Sequence, residues 1–349
     1  MYDIDFLAVE NEDADGSRSG DAIIVNVADT ATEAQRRIIV DGGFGATGDK
    51  VIERFRTWYD TDHVDLVIST HPDTDHLNGL LTVIETLDVD ELMMHLPWNH
   101  NGDADQLGNY EKIEAVYDAA VERNIRITEP FTGLERFGGA VRILGPSISF
   151  YEARLTEAIE EATSGIAAER FSKSKLSVLL AAGTDLLDRV LSLFPAETLT
   201  DTDDTGPRNQ MSTITLIQEG ERRMMLTGDA GISAIAAAAD DYEVAVGPFA
   251  VKPLAFFQAP HHGSKHNLGP TILDRVVGAQ NSPHGSLTSF VSSAKASKKH
   301  PSPKVTNALG RRGAPVITTE GKNIHLGDSD RPGYTPSVPL KPLQEDDGE

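Results

Sequence analysis

The chain contains no cysteine. Disulfides are therefore excluded, as is any thiolate metal site, and a bound metal must be held by histidine, carboxylate and water. No window approaches the roughly 18 consecutive apolar residues of a membrane span. The opening "MYDIDFLAVENEDADG" carries acids where an export signal would carry positive charge. A soluble, cytoplasmic protein with no membrane partner is expected. Positive charge is scarce too: 31 Lys and Arg against 54 Asp and Glu give a net charge of −23. Long duplex nucleic acid is bound mainly through its phosphates, so this balance argues against an extended duplex DNA footprint. A small anionic substrate held in one local site stays compatible with it.

What is present is globular in composition, 39% apolar and 24% charged over 349 residues. One domain spanning 1–349 is expected. The runs "IDFLAV", "AIIVNVA", "RRIIVDGG" and "VDLVIST" read as strands, and "DKVIERFRTWY" and "NYEKIEAVYDAAVERN" as amphipathic helices. From 147 to 206 the texture turns helical and is read as an insertion, a candidate docking segment for a protein partner. Strand signals resume with "MSTITLIQEGERRMMLTGDA" and "PLAFFQAPHHGS". The Pro-rich, acidic tail 330–349 is expected to be disordered or draped on the surface.

Three strand ends carry chemistry. In "ISTHPDTDHLNG", residues 68–79, His71, Asp73, Asp75 and His76 crowd the loop after an apolar run. Ionised carboxylates so close together repel one another, and a divalent cation removes that penalty. A solvated loop, or a helix capped by Asp73 or Asp75, is the plainer alternative. The second strand end is "LTGDA" with Asp229, weak by itself because Gly-Asp is a common turn. The third is "APHHGSKH" with His261 and His262. Adjacent residues of an extended chain point to opposite sides, so only one of these two histidines is expected to face a metal.

Taken in order, His-x-Asp-x-Asp-His, a distant Gly-Asp and His-His-Gly-Ser resemble the metallo-β-lactamase superfamily. More narrowly they resemble stand-alone relatives of the hydrolase domain of the DNA-uptake channel protein ComEC. "GDAIIV" at 20–25, "IIVDGG" ending at Gly43, "NQMSTITL" at 209–216 and "HPSPKVTNAL" at 300–309 fit that branch. The resemblance implies an α/β four-layer αββα sandwich, with 1–146 and 207–328 as its two halves, and a centre of two divalent ions, zinc or manganese. It makes His71, Asp73 and Asp229 ligands of one metal. Asp75, His76, Asp229 and His261 would surround the other, with Asp229 bridging. Asp73 stands where many members have histidine. The histidine often found before the bridging aspartate is missing, with Ser212 or Asn209 as candidates to fill the gap. Two such cations hold a water as hydroxide, with Asp75 orienting it and His262 as a second catalytic candidate.

The superfamily cleaves several bond types, so the fold does not choose the substrate. From Asn281 to Thr319 there is no Asp or Glu, while Lys295, Lys298, Lys299, Lys304, Arg311 and Arg312 occur. A basic rim suits an anionic phosphodiester, with Ser264, Lys265, Lys298, Lys299 and His300 as candidate substrate contacts. A phosphodiesterase or nuclease acting on short or single-stranded nucleic acid or nucleotides is expected. The alternatives are a lactonase or thioesterase, and a metal-binding subunit of a larger complex with little activity.

Overall fold

The computed structural model describes residues 1–13, 16–164, 197–297, 299–332, 334, 336–343 and 345. Two seven-stranded sheets dominate it. The first runs Arg126–Thr128, Glu91–Met93, Leu66–Ile68, Gln35–Gly42, Ala22–Ala28, Asp3–Phe6 and Ile324–Gly327. The second runs Glu135–Arg136, Val141–Gly145, Ile214–Glu219, Arg222–Leu226, Phe256–Gln258, Thr288–Val291 and Val316–Thr318. Each sheet is antiparallel on one side and parallel on the other. In the first, Gln35–Gly42, Leu66–Ile68, Glu91–Met93 and Arg126–Thr128 form the parallel part. In the second it is Arg222–Leu226 through Val316–Thr318.

The strands are apolar on both faces because both faces are covered. Along Ala22–Ala28, Ile23, Val25 and Val27 enter a core shared with Ile143, Ile217, Leu226, Phe256 and Phe290 of the other sheet. The alternate residues Ala22 and Ile24 turn outward onto Val51, Phe55, Leu80 and Val83 of the helices Gly45–Tyr59 and Thr74–Thr86. On the far side, Leu216, Met225 and Phe257 pack against Ile235, Ala239, Leu273 and Leu309 of the helices Ile232–Ala245, Pro270–Val276 and Pro303–Arg311. Helix, sheet, sheet and helix thus stack in four layers, as expected.

The halves divide differently from the sequence reading. Glu135–Arg136 and Val141–Gly145, expected with the first half, join the second sheet, where Val141–Gly145 pairs with Glu135–Arg136 on one side and Ile214–Glu219 on the other, and Ile324–Gly327 crosses back to the edge of the first. Periodicity marks a strand but not its partner. The described residues of 147–164 and 197–206 contribute the helix Ile148–Ser164 and no strand to either sheet. Tyr151, Leu155 and Ile159 of that helix pack on Leu107 and Met211, and the remainder of the expected insertion lies outside the described residues. Beyond 330, Arg331 is paired with the buried Asp5, and the Leu340 N–H donates to the Val316 carbonyl.

Candidate metal centre

The C-terminal ends of parallel strands from both sheets meet at one edge of the sandwich. Gln35–Gly42 delivers Asp41, and Leu66–Ile68 leads to Thr70 and His71. Asp75 and His76 lie in the first turn of Thr74–Thr86, which starts the buried stripe His76, Leu77, Leu80, Val83 and Ile84. From the other sheet, Arg222–Leu226 leads to Asp229, and Phe256–Gln258 to His261 and His262. The sheets are stitched here by the Thr213 N–H on the Thr70 carbonyl and by the Gln258 amide donating to Asp21 at 2.8 Å.

The buried imidazoles are anchored so that one nitrogen points into the site. Asp41 accepts from the Thr70 N–H at 2.8 Å and from the Thr70 hydroxyl at 2.6 Å. The Thr70 oxygen is then left to accept from His71 Nδ1 at 3.0 Å. The same Asp41 carboxylate accepts from His76 Nδ1 at 2.7 Å. Both rings therefore hold a proton on Nδ1, which makes Nε2 the nitrogen left bare in the neutral form. His71 Nε2 faces Asp229 Oδ2 at 3.8 Å and Asp73 Oδ2 at 4.0 Å, and His76 Nε2 faces Asp229 Oδ1 at 3.3 Å. His262 Nε2 faces Asp75 Oδ2 at 3.5 Å.

Metal bonds of about 2.0–2.2 Å would set adjacent ligand atoms roughly 3.4 Å apart, and these spacings fit that requirement. Independently, His71 Nε2, His76 Nε2, His262 Nε2 and Asp229 Oδ1 are buried with no hydrogen-bond partner. Buried polar atoms are rarely left so, and four in overlapping groups around His76 suit bound cations. Among the described residues four groups have ligand-like spacing; His71–His76–Asp229, Asp75–His76–His262 and Asp21–Asp41–His76 share His76, and the fourth is His63–Asp65–Asp90.

Charge balance agrees with this fit. Burial favours the neutral form of Asp229, but His261, His76 and His262 outweigh it and hold the carboxyl well below the usual range. Asp75 is likewise lowered against its burial, by His262 and His76. Burial opposes a charge on His76 and His262, yet Asp229 and Asp41 raise the first, and Asp229, Asp75 and Asp21 push the second up to about 9. Burial, with the charge of His76 beside it, lowers His71. Without metal the carboxylates are thus balanced by protons on histidine, which a divalent ion must displace.

The residues named from sequence fall out as follows. His71, Asp73, Asp75, His76 and Asp229 come together. His262, expected as a catalytic group apart from the metals, is the histidine beside Asp75 and His76, while His261 faces Asp229 Oδ2 at 3.5 Å from the other side. The extended-chain rule failed because neither residue is extended: their φ angles are 48° and 56°. Of the proposed gap-fillers, the Ser212 hydroxyl accepts from the Asp229 N–H at 3.1 Å, and the Asn209 amide reaches His261 Nδ1 at 3.3 Å.

The substrate candidates are less uniform. Ser264 is buried and its hydroxyl accepts from the His266 N–H, closing the turn. His300 packs near His261 and His262, with ring centroids 5.8 and 6.3 Å away. Burial and the charge of its two neighbours push it down to about 3, so it offers a neutral imidazole rather than a cation. Lys299 is exposed next to it, Lys265 is half-buried after the histidine turn, and Lys298 lies outside the described residues. The basic stretch is weaker than its sequence suggests, because Arg312 is buried against Glu197 and Asp274 and Arg311 pairs with Glu345.

Sequence reading gave no role to Asp21, Asp41, Arg208, Gln258 or Asn267. Asp21 and Asp41 stood inside quoted motifs, each beside an apolar strand, and that was the available signal. Arg208 lies 3.5 Å from Asp73 at the rim, and nothing in its local sequence distinguishes it from a surface arginine.

Residues 31–276 match the family model described as the metallo-beta-lactamase superfamily. A search of curated proteins finds no match. Similar solved structures include a protein from Thermotoga maritima described as a metallo-β-lactamase, 12% identical, covering 65% of this chain and 78% of that one with a TM-score of 0.35. A Cronobacter sakazakii metallo-β-lactamase with a HARLDQ motif is 8% identical over 72% of this chain and 76% of its own, TM-score 0.34. CmlA, a diiron β-hydroxylase from Streptomyces venezuelae, is 12% identical over 91% of this chain and 44% of its own, TM-score 0.37. It is the family model, spanning well over half of the sequence, that decides the matter: the chain belongs to the metallo-β-lactamase superfamily.

Proposed function

We propose that this protein is a two-metal phosphodiester hydrolase acting on nucleotides or on short or single-stranded nucleic acid. The observation that carries the reading is that His71 Nε2, His76 Nε2, His262 Nε2 and Asp229 Oδ1, all buried and without a hydrogen-bond partner, fall in two overlapping groups of ligand-like spacing that share His76. His71, Asp73 and Asp229 would hold one divalent ion, zinc or manganese, and Asp75, His76, His262 and Asp229 the other. Such ions supply Lewis-acid activation of water and of the scissile phosphoryl group.

The chain's own residues do the rest. Asp75, ionised and at the open side of its helix turn, orients the attacking water. Thr70 and Asp41 fix the imidazole tautomers, so that no ring must rotate during turnover. Arg208, 41% exposed at the rim and 3.5 Å from Asp73, is placed to reach a phosphate oxygen with its guanidinium fork. Lys265, Lys299 and the neutral His300 line the approach from the histidine turn. The likeness of the motifs to the ComEC hydrolase branch supports the same substrate class.

One observation favours a second reading, a lactonase or thioesterase. A cavity beside His71 is walled by Leu77, Met94, Leu107, Ile113, Tyr151 and Met211, which suits an uncharged apolar group. A panel separates the two. Protein loaded with zinc or manganese is assayed with bis-p-nitrophenyl phosphate, cyclic dinucleotides, single-stranded DNA, RNA, nitrocefin, an acyl-homoserine lactone and an acyl thioester. Preferred turnover of phosphodiesters, lowered by Arg208→Gln at unchanged metal content, is the expected result. Preference for the lactone or thioester would replace this proposal with the second reading.

A further inference from the structure

We infer that His261 is a ligand of the first metal, standing in for the histidine missing before the bridging aspartate, so that the tandem pair His261–His262 serves one metal each. The inference rests on the two-metal reading above and changes who holds what within it.

Asp229 sorts the two histidines. Its Oδ2 lies 3.8 Å from His71 Nε2 and 3.5 Å from His261 Nε2. Its Oδ1 lies 3.3 Å from His76 Nε2, and the group around His76 is completed by Asp75 and His262. Asp229 Oδ2 thus faces His71 and His261, with Asp73 4.0 Å from His71 Nε2, while Oδ1 faces His76, with Asp75 and His262 beside that ring. Both sets hold two imidazoles and two carboxylates when Asp229 is shared, and the apparent gap at the first metal closes.

The tautomer of His261 is fixed independently. Asn267 is fully buried, and its Nδ2 donates to the carbonyls of Asp229 at 2.9 Å and Ala230 at 3.2 Å. That orientation leaves Asn267 Oδ1 to accept from His261 Nδ1 at 3.1 Å. The proton therefore sits on Nδ1, and Nε2 faces Asp229 with a free lone pair. The Asn209 side-chain amide reaches the same Nδ1 at 3.3 Å, and its oxygen is the end that suits a donor.

The backbone supplies the third argument. His261 and His262 are successive non-glycine residues with φ of 48° and 56°, a conformation L side chains rarely adopt. Strain of this kind persists where surrounding structure demands it. Here it lets neighbouring residues face two different carboxylates, His261 Nε2 lying 3.5 Å from Asp229 Oδ2 and His262 Nε2 3.5 Å from Asp75 Oδ2. The His261 N–H donating to the Gly228 carbonyl at 3.1 Å ties the turn to the Asp229 loop. His261 is 32% exposed and His262 5%, so His261 is the member of the pair nearer solvent.

The test is metal stoichiometry, not turnover. Wild type, His261→Asn, His262→Asn, His71→Asn and the pairs H71N/H261N and H261N/H262N are stripped, equilibrated with zinc and analysed for bound metal, with manganese titrated calorimetrically. Asparagine tolerates the left-handed backbone, and circular dichroism checks each fold. Two equivalents are expected for wild type, one for each single variant, still one for H71N/H261N because both residues act at the same metal, and none for H261N/H262N. Asn267→Ser keeps the imidazole but frees its Nδ1, and should weaken one equivalent by about 10- to 100-fold. If His261→Asn keeps both equivalents at wild-type affinity, or H71N/H261N loses both, the inference is overturned while the two-metal reading stands. A wild type that binds fewer than two equivalents overturns that reading, and this inference with it.

Discussion

Asp41 has a φ of 57° and answers three donors with two oxygens: the Thr70 N–H, the Thr70 hydroxyl and His76 Nδ1. Asparagine would match its shape and tolerate its backbone, but one end of the amide would then oppose a donor with a donor. Asp41→Asn should therefore weaken metal binding about 10- to 100-fold and cost about 1–3 kcal/mol of stability, read by calorimetric titration and urea unfolding. His95 makes a separate prediction away from the metals. Burial, with the charge of His100 nearby, pushes it down to about 3, and its ring stacks on Tyr151 with centroids 4.3 Å apart. The folded state keeps His95 neutral while the unfolded chain protonates it near 6.5, so stability should fall as pH drops from 6.5 toward 3. His95→Phe retains the stack and should flatten that slope by up to about 1.4 kcal/mol per pH unit, measured by urea unfolding between pH 4.5 and 6.5. An unchanged slope would mean that His95 does not stay neutral in the fold.

The strand and the helix that carry Asp41 and His76 meet at glycine on glycine. A Cβ on Gly79 would come within 1.9 Å of the Gly42 carbonyl oxygen, and one on Gly42 within 2.5 Å of the Leu80 nitrogen. The Gly79 N–H donates to the Gly43 carbonyl at 2.9 Å, so helix and strand end are locked at this distance. Gly79→Ala should thus do more than the propensity scale suggests, which favours alanine in a helix. Overpacking of this sort costs about 1–3 kcal/mol, and because the helix carries Asp75 and His76 the variant should also lose metal affinity. Thermal unfolding and metal titration on the same sample check both halves. A stabilised variant with normal affinity would show that the helix can shift without cost. The helical spacing of apolar residues in "HLNGLLTVIETL" marks this helix in the sequence. It could not find the contact, because nothing in "GLLTVIETL" says which backbone lies beneath.

Across the whole molecule, what could be read in advance were features carried by neighbouring residues, and what could not were features carried by distant ones. The apolar strands, the crowded loop at His71 and the four-layer architecture implied by the motifs belong to the first kind. The placement of His262 beside Asp75 and His76, with His261 facing Asp229, belongs to the second, since it follows from a turn with two left-handed residues where an extended chain was assumed. So does the loss of Arg311 and Arg312 from the basic rim, whose acidic partners lie up to 115 residues away. The strand Ile324–Gly327 returning beside Asp3–Phe6 is a third instance. Both sheets are needed to complete the centre, because His71, Asp75 and His76 follow strands of one and Asp229, His261 and His262 follow strands of the other. Asp229, 3.3 Å from His76 and 3.8 Å from His71 across the two sheets, is where that dependence concentrates. The most direct measurement is therefore the number of zinc or manganese equivalents bound by purified wild type and by Asp229→Asn under the same conditions. The account predicts two for wild type and the loss of at least one from the variant, with its fold intact by circular dichroism. Two tightly bound equivalents in Asp229→Asn, or none in wild type, would contradict it.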